Sequence, residues 1–161
     1  MTFEVQAPIM VFREWHRHRT QSFNEFSARY APMADLHYLP APARIRGQSK
    51  SNKQGTGDED LPAEIVAEFL RRIEREQRMI YETYQWALDH GVAREVARIN
   101  TPVSRYSKMR ASANLLNWLR FIGLRAAPDA QLEIRQYAEA IGSQIEKHFP
   151  RTWVLFKERP L

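Results

Sequence analysis

The sequence predicts a mixed α+β protein in which long helices are combined with a few short strands. Three observations support this prediction: a long amphipathic repeat in the middle of the chain, further helical periods towards its end, and short alternating segments near its start. The chain has 161 residues, of which 43% are hydrophobic. That length and apolar content predict a single domain over residues 1–161.

The predicted elements of the first third are short. Residues 2–6 alternate in character and indicate a strand that Pro8 ends, and the apolar residues from Ile9 onward indicate a short buried helix with Arg13 and Arg17 on one face. A strand or extended segment is predicted over residues 27–30.

Residues 40–60 are rich in Pro, Gly, Ser, Lys and Asn, which is typical of a mobile surface loop. The acidic end of this segment favours the start of a helix, with Asp60 or a neighbour as its N-cap and Pro62 in its first turn.

A long helix follows and ends at Gly91, a residue typical of the position just after a helix. About 28 residues at ~1.5 Å each span on the order of 40 Å, which is longer than a compact domain of this size needs and indicates an oligomer. Further helices are predicted over residues 92–99, about 107–124, and 129–149, with Pro150 closing the last. The long helix repeats apolar or buried positions at steps of three or four: Val66, Phe69, Ile73, Gln77, Ile80, Tyr84 and Leu88.

The composition limits the ligands and the reactive groups that the protein can use. The net charge of +5 favours anionic partners such as phosphates. The absence of cysteine excludes disulfides, thiolate metal ligands, iron–sulfur clusters and a cysteine nucleophile. No window of ~18 apolar residues and no signal-peptide pattern are present, so the chain is expected to be soluble and cytoplasmic, without a membrane partner. No glycine-rich phosphate loop occurs, so side-chain cations would have to hold a nucleotide.

The densest polar cluster is residues 13–30, REWHRHRTQSFNEFSARY. Arginine forks bind phosphate oxygens, and neighbouring carboxylates and hydroxyls can orient a sugar or a base; a surface network of ion pairs is the alternative. His16 and His18 stand two apart and point to different sides of a helix, so no metal site is expected. Ser27 has no identifiable orienting group that would make it a nucleophile.

Three later arginines also need partners, because a buried arginine is rarely unpaired. Arg98 could pair with Glu95 or Glu133 or bind a ligand. Arg120 and Arg125 lie near the end of an otherwise apolar helical run, in which Trp118 and Phe121 are expected to be core residues.

The segment from Arg17 to Tyr30 resembles the signature RHRxxSxNExSxRY of the flavin-dependent thymidylate synthases (ThyX), and every fixed position matches. The resemblance extends over nearly the whole chain, from Ala7-Pro8-Ile9 and Arg13 through residues 91–98 to Asn114, Leu124-Arg125 and residues 130–134.

The resemblance implies reductive methylation of dUMP to dTMP. The one-carbon donor would be methylenetetrahydrofolate and the reductant NADPH, acting through FAD. It also implies a ThyX-like α+β fold of long central helices with a small antiparallel sheet, assembled as a homotetramer whose subunits share active sites. The flavin would supply the redox chemistry that side chains cannot.

The resemblance also implies roles for individual residues. Arg125 would be the catalytic arginine, placed against the uracil to stabilise developing charge. Ser27 would contact the nucleotide without acting as a nucleophile. The FAD site would comprise Arg17, His18, Arg19, Glu25, Asn114, Leu116 and Arg120. The dUMP site would comprise Glu14, Trp15, His16 and Arg17 of one subunit and Glu25, Phe26, Ser27, Ala28 and Arg29 of another, with Arg98 and Arg125 completing it.

The chain departs from the family pattern at several positions. Glu14 stands where Gln is usual and Ala28 where Gly is frequent. Leu116 replaces a common flavin-contacting Arg, and Arg120, one helical turn later on the same face, would compensate for it. Asp129 replaces a His of some members and is expected to cap a helix. The family also usually has several dozen residues before the segment that resembles residues 2–5.

Two other functions stand as alternatives to the enzyme. A non-catalytic ThyX-like protein could keep flavin or nucleotide binding without turnover. A basic nucleic-acid-binding module is disfavoured, because the cations alternate with acids and the aromatic residues lie on helix faces expected to be buried.

Overall fold

Helices and short strands alternate along the chain, as the computed structural model shows for residues 1–159. The α+β class is confirmed. The elements are β1 (Thr2–Pro8), α1 (Ile9–Trp15), β2 (Ser22–Glu25), β3 (Arg46–Gln48), β4 (Thr56–Asp60), α2 (Ala63–Asp89), α3 (Arg94–Ala97), β5 (Tyr106–Ser112), α4 (Leu115–Arg125), α5 (Leu132–His148) and α6 (Pro150–Glu158), with short 3₁₀ helices at Pro42–Arg44 and Arg98–Asn100.

The chain forms two compact units. Unit 1 contains Met1–Val5, Val11–Glu25 and the chain from Lys108 onward, and unit 2 contains Gln6–Met10 and Phe26–Ser107. The strands form a three-stranded sheet of order β1-β5-β2 and a two-stranded sheet of β3 and β4. Strand β2 runs antiparallel to β5, and Ser22 faces Ser112 across the pair.

The core of unit 1 is aromatic. The Trp15 ring stacks on Phe121 with centroids 4.6 Å apart, and Trp118 meets Trp15 edge-on at 6.3 Å. Helix α5 adds Ile134 and Ile145, which are both fully buried. Burying side chains of this size is the main source of stability for such a unit, and it fixes the ends of α1 and α4 that carry the charged residues described below.

Unit 2 is built on α2, whose 27 residues confirm the predicted long helix. Its buried Tyr84 packs with Ala28 and Met33, and the Tyr84 hydroxyl accepts the Met33 backbone N–H at 3.0 Å. The helix ends before Gly91, whose φ of +78° is a conformation that glycine adopts at little cost.

Unit 2 also contains a buried arginine that the sequence patterns do not single out. Arg105 is 2% exposed, and its Nη1 donates to Asp35 Oδ1 at 2.8 Å. Its guanidinium also lies over the Tyr81 ring, 4.8 Å from the centroid. The positive charge is therefore paired, as a buried arginine requires.

Several local predictions were wrong. Residues 27–30 form a turn, and the neighbouring strand is β2. Residues 46–60 contain the antiparallel pair of β3 and β4 within the segment predicted to be a loop. Asp60 ends β4 and pairs with Arg46, while Pro62 holds the N-cap position of α2 without a side-chain cap.

The C-terminal third also differs from the predictions. The predicted helix from residue 107 is strand β5 up to Ser112, and α4 begins at Leu115. Helix α5 begins at Leu132 after Gln131, so Asp129 is not its N-cap. Helix α5 ends at His148, before Pro150 as predicted, and Pro150 then starts a further helix, α6, because proline is well tolerated in the first turn of a helix. The predicted helix over residues 92–99 is α3 followed by a 3₁₀ turn.

Candidate functional site

The turn after α1 carries the charged half of the signature. Helix α1 ends at Trp15, and the buried Trp15 Nε1–H donates to Gln21 Oε1 at 2.9 Å. This bond closes a loop over residues 16–21, so the side chains between them are held on a fixed backbone turn. Arg17 lies in this turn rather than on α1, and it therefore does not share a helix face with Arg13.

Arg125 is held between two residues of this region. It is the last residue of α4, and its Nη1 donates to Glu14 Oε2 at 3.1 Å while its Nη2 donates to the Glu14 carbonyl at 3.2 Å. Its Nε donates to His18 Nε2 at 2.8 Å. An arginine has five N–H bonds, so one on Nη1 and one on Nη2 remain for another acceptor.

Burial and charge shift two pKa values around Arg125. Burial, and after it the positive charge of Arg125, lowers the pKa of His18 to about 4. His18 is therefore neutral at physiological pH, and because its Nε2 accepts a hydrogen bond, its proton is on Nδ1. Burial raises the pKa of Glu14; Arg125 works against this rise, and the carboxylate of Glu133 adds to it.

The neighbouring cations are free to bind an anion. Arg17 and Arg19 are exposed, and neither has an acidic partner within residues 1–159. Asn117 Nδ2 donates to the Thr20 carbonyl at 3.3 Å, which ties the turn to the first part of α4. Asn114 caps that helix by accepting the Asn117 N–H at 2.9 Å. Such cations on a fixed turn fit the phosphate groups of a dinucleotide cofactor such as FAD.

The remaining predicted flavin residues lie on exposed surface of the same unit. Leu116 is 46% exposed, and Arg120, four residues later on α4, is also exposed. Glu25 is exposed at the end of β2. Leu116 and Arg120 thus share a helix face, as the proposed exchange of an arginine between these positions requires.

A second group of signature residues lies in unit 2. The Ser27 hydroxyl accepts the Arg29 backbone N–H at 3.3 Å, and the Arg29 side chain pairs with Glu95 at 3.4 Å. Glu95 therefore pairs with Arg29 and not with Arg98, so the predicted alternative of an Arg98–Glu95 ion pair is wrong. A cavity of about 310 Å³ lies at this pair; its lining is Arg29, Tyr30, Ala93, Arg94 and Glu95.

Sequence reasoning passed over Arg94 in this cavity. Its Nη1 donates to the Tyr30 carbonyl at 3.0 Å, so a second cation stands beside Arg29. The sequence did offer a signal for Arg94, because this residue lies in the stretch 91–98 that matches the family pattern. Arg98 is half-buried in the following 3₁₀ turn and has no ion pair among residues 1–159.

The other predicted substrate residues differ in accessibility. Trp15 is fully buried and Ala28 is 6% exposed, so their side chains serve the core of their own units. His16 is half-buried, with Nε2 3.3 Å from the Met109 sulfur. Phe26 is exposed. No three His, Cys, Asp or Glu side chains gather as a metal site among residues 1–159, and no helix there is long and apolar enough to cross a membrane.

These features define an α+β protein with exposed arginines clustered at two places, one in each unit. The family model described as "Thymidylate synthase complementing protein" (Thy1) matches residues 1–151, and the chain belongs to this family.

Named relatives agree with this assignment. The chain is 42% identical over 159 residues to a flavin-dependent thymidylate synthase of Thermus thermophilus, a match that covers 99% of this chain and 57% of that protein. It is 38% identical over 168 residues to the enzyme of the same name from Rickettsia bellii, covering 97% and 57%. The chain thus spans little more than half the length of these relatives.

A solved structure agrees with the fold. The UMP/dUMP methylase PolB from Streptomyces cacaoi, bound with 5-Br dUMP, superposes with a TM-score of 0.85 at 35% identity. The match covers 98% of this chain and 70% of that one. A structure of the same methylase with 5-Br UMP gives a TM-score of 0.87 at 36% identity, covering 98% and 73%.

Proposed function

We propose that the chain catalyses the reductive methylation of dUMP to dTMP, with methylenetetrahydrofolate as the carbon donor and NADPH as the reductant through FAD. The observation that carries this proposal is the placement of Arg125. The signature and the residues just before it supply His18 and Glu14 as its anchors, and two N–H bonds are left for a ligand. Membership of the Thy1 family and the likeness to a dUMP methylase support the choice of substrate.

Arg125 is suited to stabilise charge on a uracil carbonyl. Its side chain is 23% exposed and its guanidinium is fixed on three of its N–H bonds, so little reorganisation is needed when an oxygen gains negative charge. Preorganised donors of this kind are typically a large part of enzymatic catalysis. Arg125 is therefore the catalytic residue of this proposal.

The flavin would be bound by unit 1. Arg17 and Arg19 would contact its phosphates, and His18, Glu25, Asn114, Leu116 and Arg120 would line the rest of the site. Bound FAD would supply the electron and hydride transfer that completes the methyl group.

The nucleotide phosphate fits the cations of unit 2. Arg29 and Arg94 stand at one cavity, and Arg29 pairs with Glu95 at 3.4 Å on the exposed surface, where solvent weakens the pair. A phosphate, with its higher charge and three oxygens, would compete with Glu95 for the Arg29 guanidinium. Phe26 and Ser27 would reach the dUMP site from another subunit and Arg98 would complete it, with Ser27 as a contact and not as a nucleophile.

The active form would be a homotetramer with sites shared between subunits. Helix α2 carries four large exposed apolar side chains, at Ile65, Phe69, Met79 and Trp86, which are 45–59% exposed. At 3.6 residues per turn these positions fall within an arc of roughly 100°. One helix face of this kind, roughly 30 Å long from Ile65 to Trp86 at ~1.5 Å per residue, is suited to bury itself against another copy of the chain.

UMP is a second candidate substrate, because a similar methylase structure contains 5-Br UMP. Offering dUMP and UMP in parallel to the same preparation separates the two. Methylation of dUMP alone supports the proposal as stated. Methylation of UMP alone would show that the substrate is UMP and not dUMP.

A visible spectrum tests the proposed chemistry. The purified chain, loaded with FAD, is expected to show a flavin absorbance that bleaches with NADPH when dUMP is present, and to form dTMP once methylenetetrahydrofolate is added. Bound flavin without dTMP would instead indicate a non-catalytic relative. A colourless protein that cannot be loaded with FAD but binds nucleic acid with a steep salt dependence would indicate the nucleic-acid-binding module.

A further inference from the structure

Arg125 differs from Arg17 and Arg19 because a carboxylate compensates its charge, and from Arg29 because its ion pair is only about a quarter exposed, whereas that of Arg29 is more than half exposed. Arg17 and Arg19 are exposed and have no acidic partner within residues 1–159, whereas Arg125 has Glu14 Oε2 at 3.1 Å. Both members of this pair are only about a quarter exposed. Solvent therefore screens the pair less than it screens a surface ion pair.

The negative charge of Glu14 determines which kind of ligand can bind the two remaining N–H bonds of Arg125. A neutral carbonyl oxygen can accept from them while Glu14 stays in place. A phosphate would bring negative charge to a guanidinium that already has a carboxylate on Nη1. Like charges this close repel, and the ligand would have to displace Glu14.

Among the residues that the structure describes, the groups that interact with Glu14 and with Arg125 include no second cation. The groups that face Glu14 are Arg125 from α4, Glu133 from α5 and, through Arg125, His18 from the turn after α1. Glu133 is 5% exposed and acidic, and His18 offers Arg125 an acceptor and not a charge. Arg125 is therefore the only cation among these four groups.

We propose that Glu14 is a specificity-determining residue that reserves Arg125 for a neutral carbonyl and denies it to a phosphate. The proposal rests on the proposed function only in identifying that carbonyl with uracil. The phosphate of the same nucleotide is then directed to cations without a partly buried carboxylate partner: Arg94, which donates to a carbonyl, and Arg29, whose ion pair is more than half exposed.

Titration with inorganic phosphate, followed by NMR, tests this role without turnover. The His18 ring accepts from Arg125 Nε, so its nitrogen and proton signals report on ligands at Arg125. In Glu14→Gln, which keeps the side-chain length and an acceptor oxygen, phosphate is expected to shift the His18 signals at a concentration about tenfold lower than in the unmodified chain. The matched control is Glu139→Gln, which removes the same charge from a residue of α5 that stands 4.0 Å from Arg135, and it should behave like the unmodified chain.

Two further variants separate the outcomes. In the double variant Glu14→Gln/Arg125→Met the phosphate response should disappear; if it persists, phosphate binds elsewhere and the proposal is wrong. Equal responses of the unmodified chain and Glu14→Gln would also overturn it. Glu14→Ala serves as a second test if Glu14→Gln loses the native spectrum. A chain that makes no dTMP but shows the predicted phosphate response would refute the proposed function and keep this role of Glu14.

Discussion

Arg125 is held by groups that lie far from it in the sequence but are fixed by the fold. Glu14 contributes both its carboxylate and its carbonyl, and His18 contributes a ring nitrogen. Glu14 lies beside Arg125 because α1 buries the neighbouring Trp15. His18 lies beside Arg125 because the Trp15–Gln21 hydrogen bond closes the turn that carries it. The chemistry of the site thus depends on a buried tryptophan that need not touch a ligand.

Replacing Arg125 by alanine is expected to abolish dTMP formation, a loss of at least about a hundredfold, because the fixed donor for the developing charge is removed. The assembly state should not change. Turnover assays and light scattering measure the two effects. Arg151→Ala, which removes an exposed arginine of α6, is the control and should keep its activity; near-normal turnover in Arg125→Ala would contradict the role assigned to it.

The depressed pKa of His18 makes the stability of the fold depend on pH. The unfolded chain takes up a proton near pH 6.5, but the folded chain does so only near pH 4. Between these values the unfolded state binds more protons, so the free energy of unfolding falls as the pH is lowered through this window. The stabilising effect of the low pKa is complete above about pH 6.5.

His18→Gln removes this dependence while keeping an acceptor for Arg125. Relative to this variant, the unmodified chain is expected to lose about 2 kcal/mol of unfolding free energy between pH 7 and pH 4, with allowance for partial solvent screening. Urea unfolding at both pH values measures the difference. Parallel pH curves for the two proteins would show that the His18 pKa is not shifted.

At the scale of elements, the helices were easier to predict than the strands. Helix α2 repeats its apolar positions for 27 residues and ends at a glycine, so several independent signals agree. Strand β5 was missed because its alternation leads, after two residues, into the apolar run of α4. Strands β3 and β4 were missed because they carry almost no apolar residues, and their pairing is visible only in space.

The candidate site, like the strands, could be predicted from the sequence only in part. The signature names most of the residues, but the pairing of Arg125 with Glu14 and of Arg29 with Glu95 depends on long-range packing that no local pattern encodes. Arg105 was missed for the same reason, since its partner Asp35 lies 70 positions away.

Helix α5 provides the element-scale prediction. Ile145 is fully buried, so Ile145→Ala is expected to lower the free energy of unfolding by about 2–5 kcal/mol through lost apolar burial and a residual cavity. Leu155→Ala removes a side chain of α6 that is 64% exposed and should change stability by less than about 0.5 kcal/mol. Denaturant unfolding compares them, and similar losses for both would mean that the packing described for Ile145 is wrong.

At the scale of the whole molecule, the exposed apolar face of α2 predicts self-association. Met79→Lys places a charge within this face and is expected to raise the dissociation constant of the assembly by about tenfold or more, because a lysine there would have to be desolvated. Glu74→Lys introduces the same side chain on the opposite side of α2 and should leave the assembly intact. Light scattering over a concentration series distinguishes the two; equal masses for both variants would place the contact elsewhere.

The central claim concerns the reaction, and isotope transfer tests it most directly. The FAD-loaded chain is incubated with dUMP, NADPH and methylenetetrahydrofolate that carries an isotopic label in its methylene carbon, and the nucleotides are analysed by mass spectrometry. The account predicts dTMP with the label in its new methyl group, in amounts exceeding those of enzyme. Unlabelled dUMP as the sole nucleotide, in a preparation with bound flavin, would contradict it.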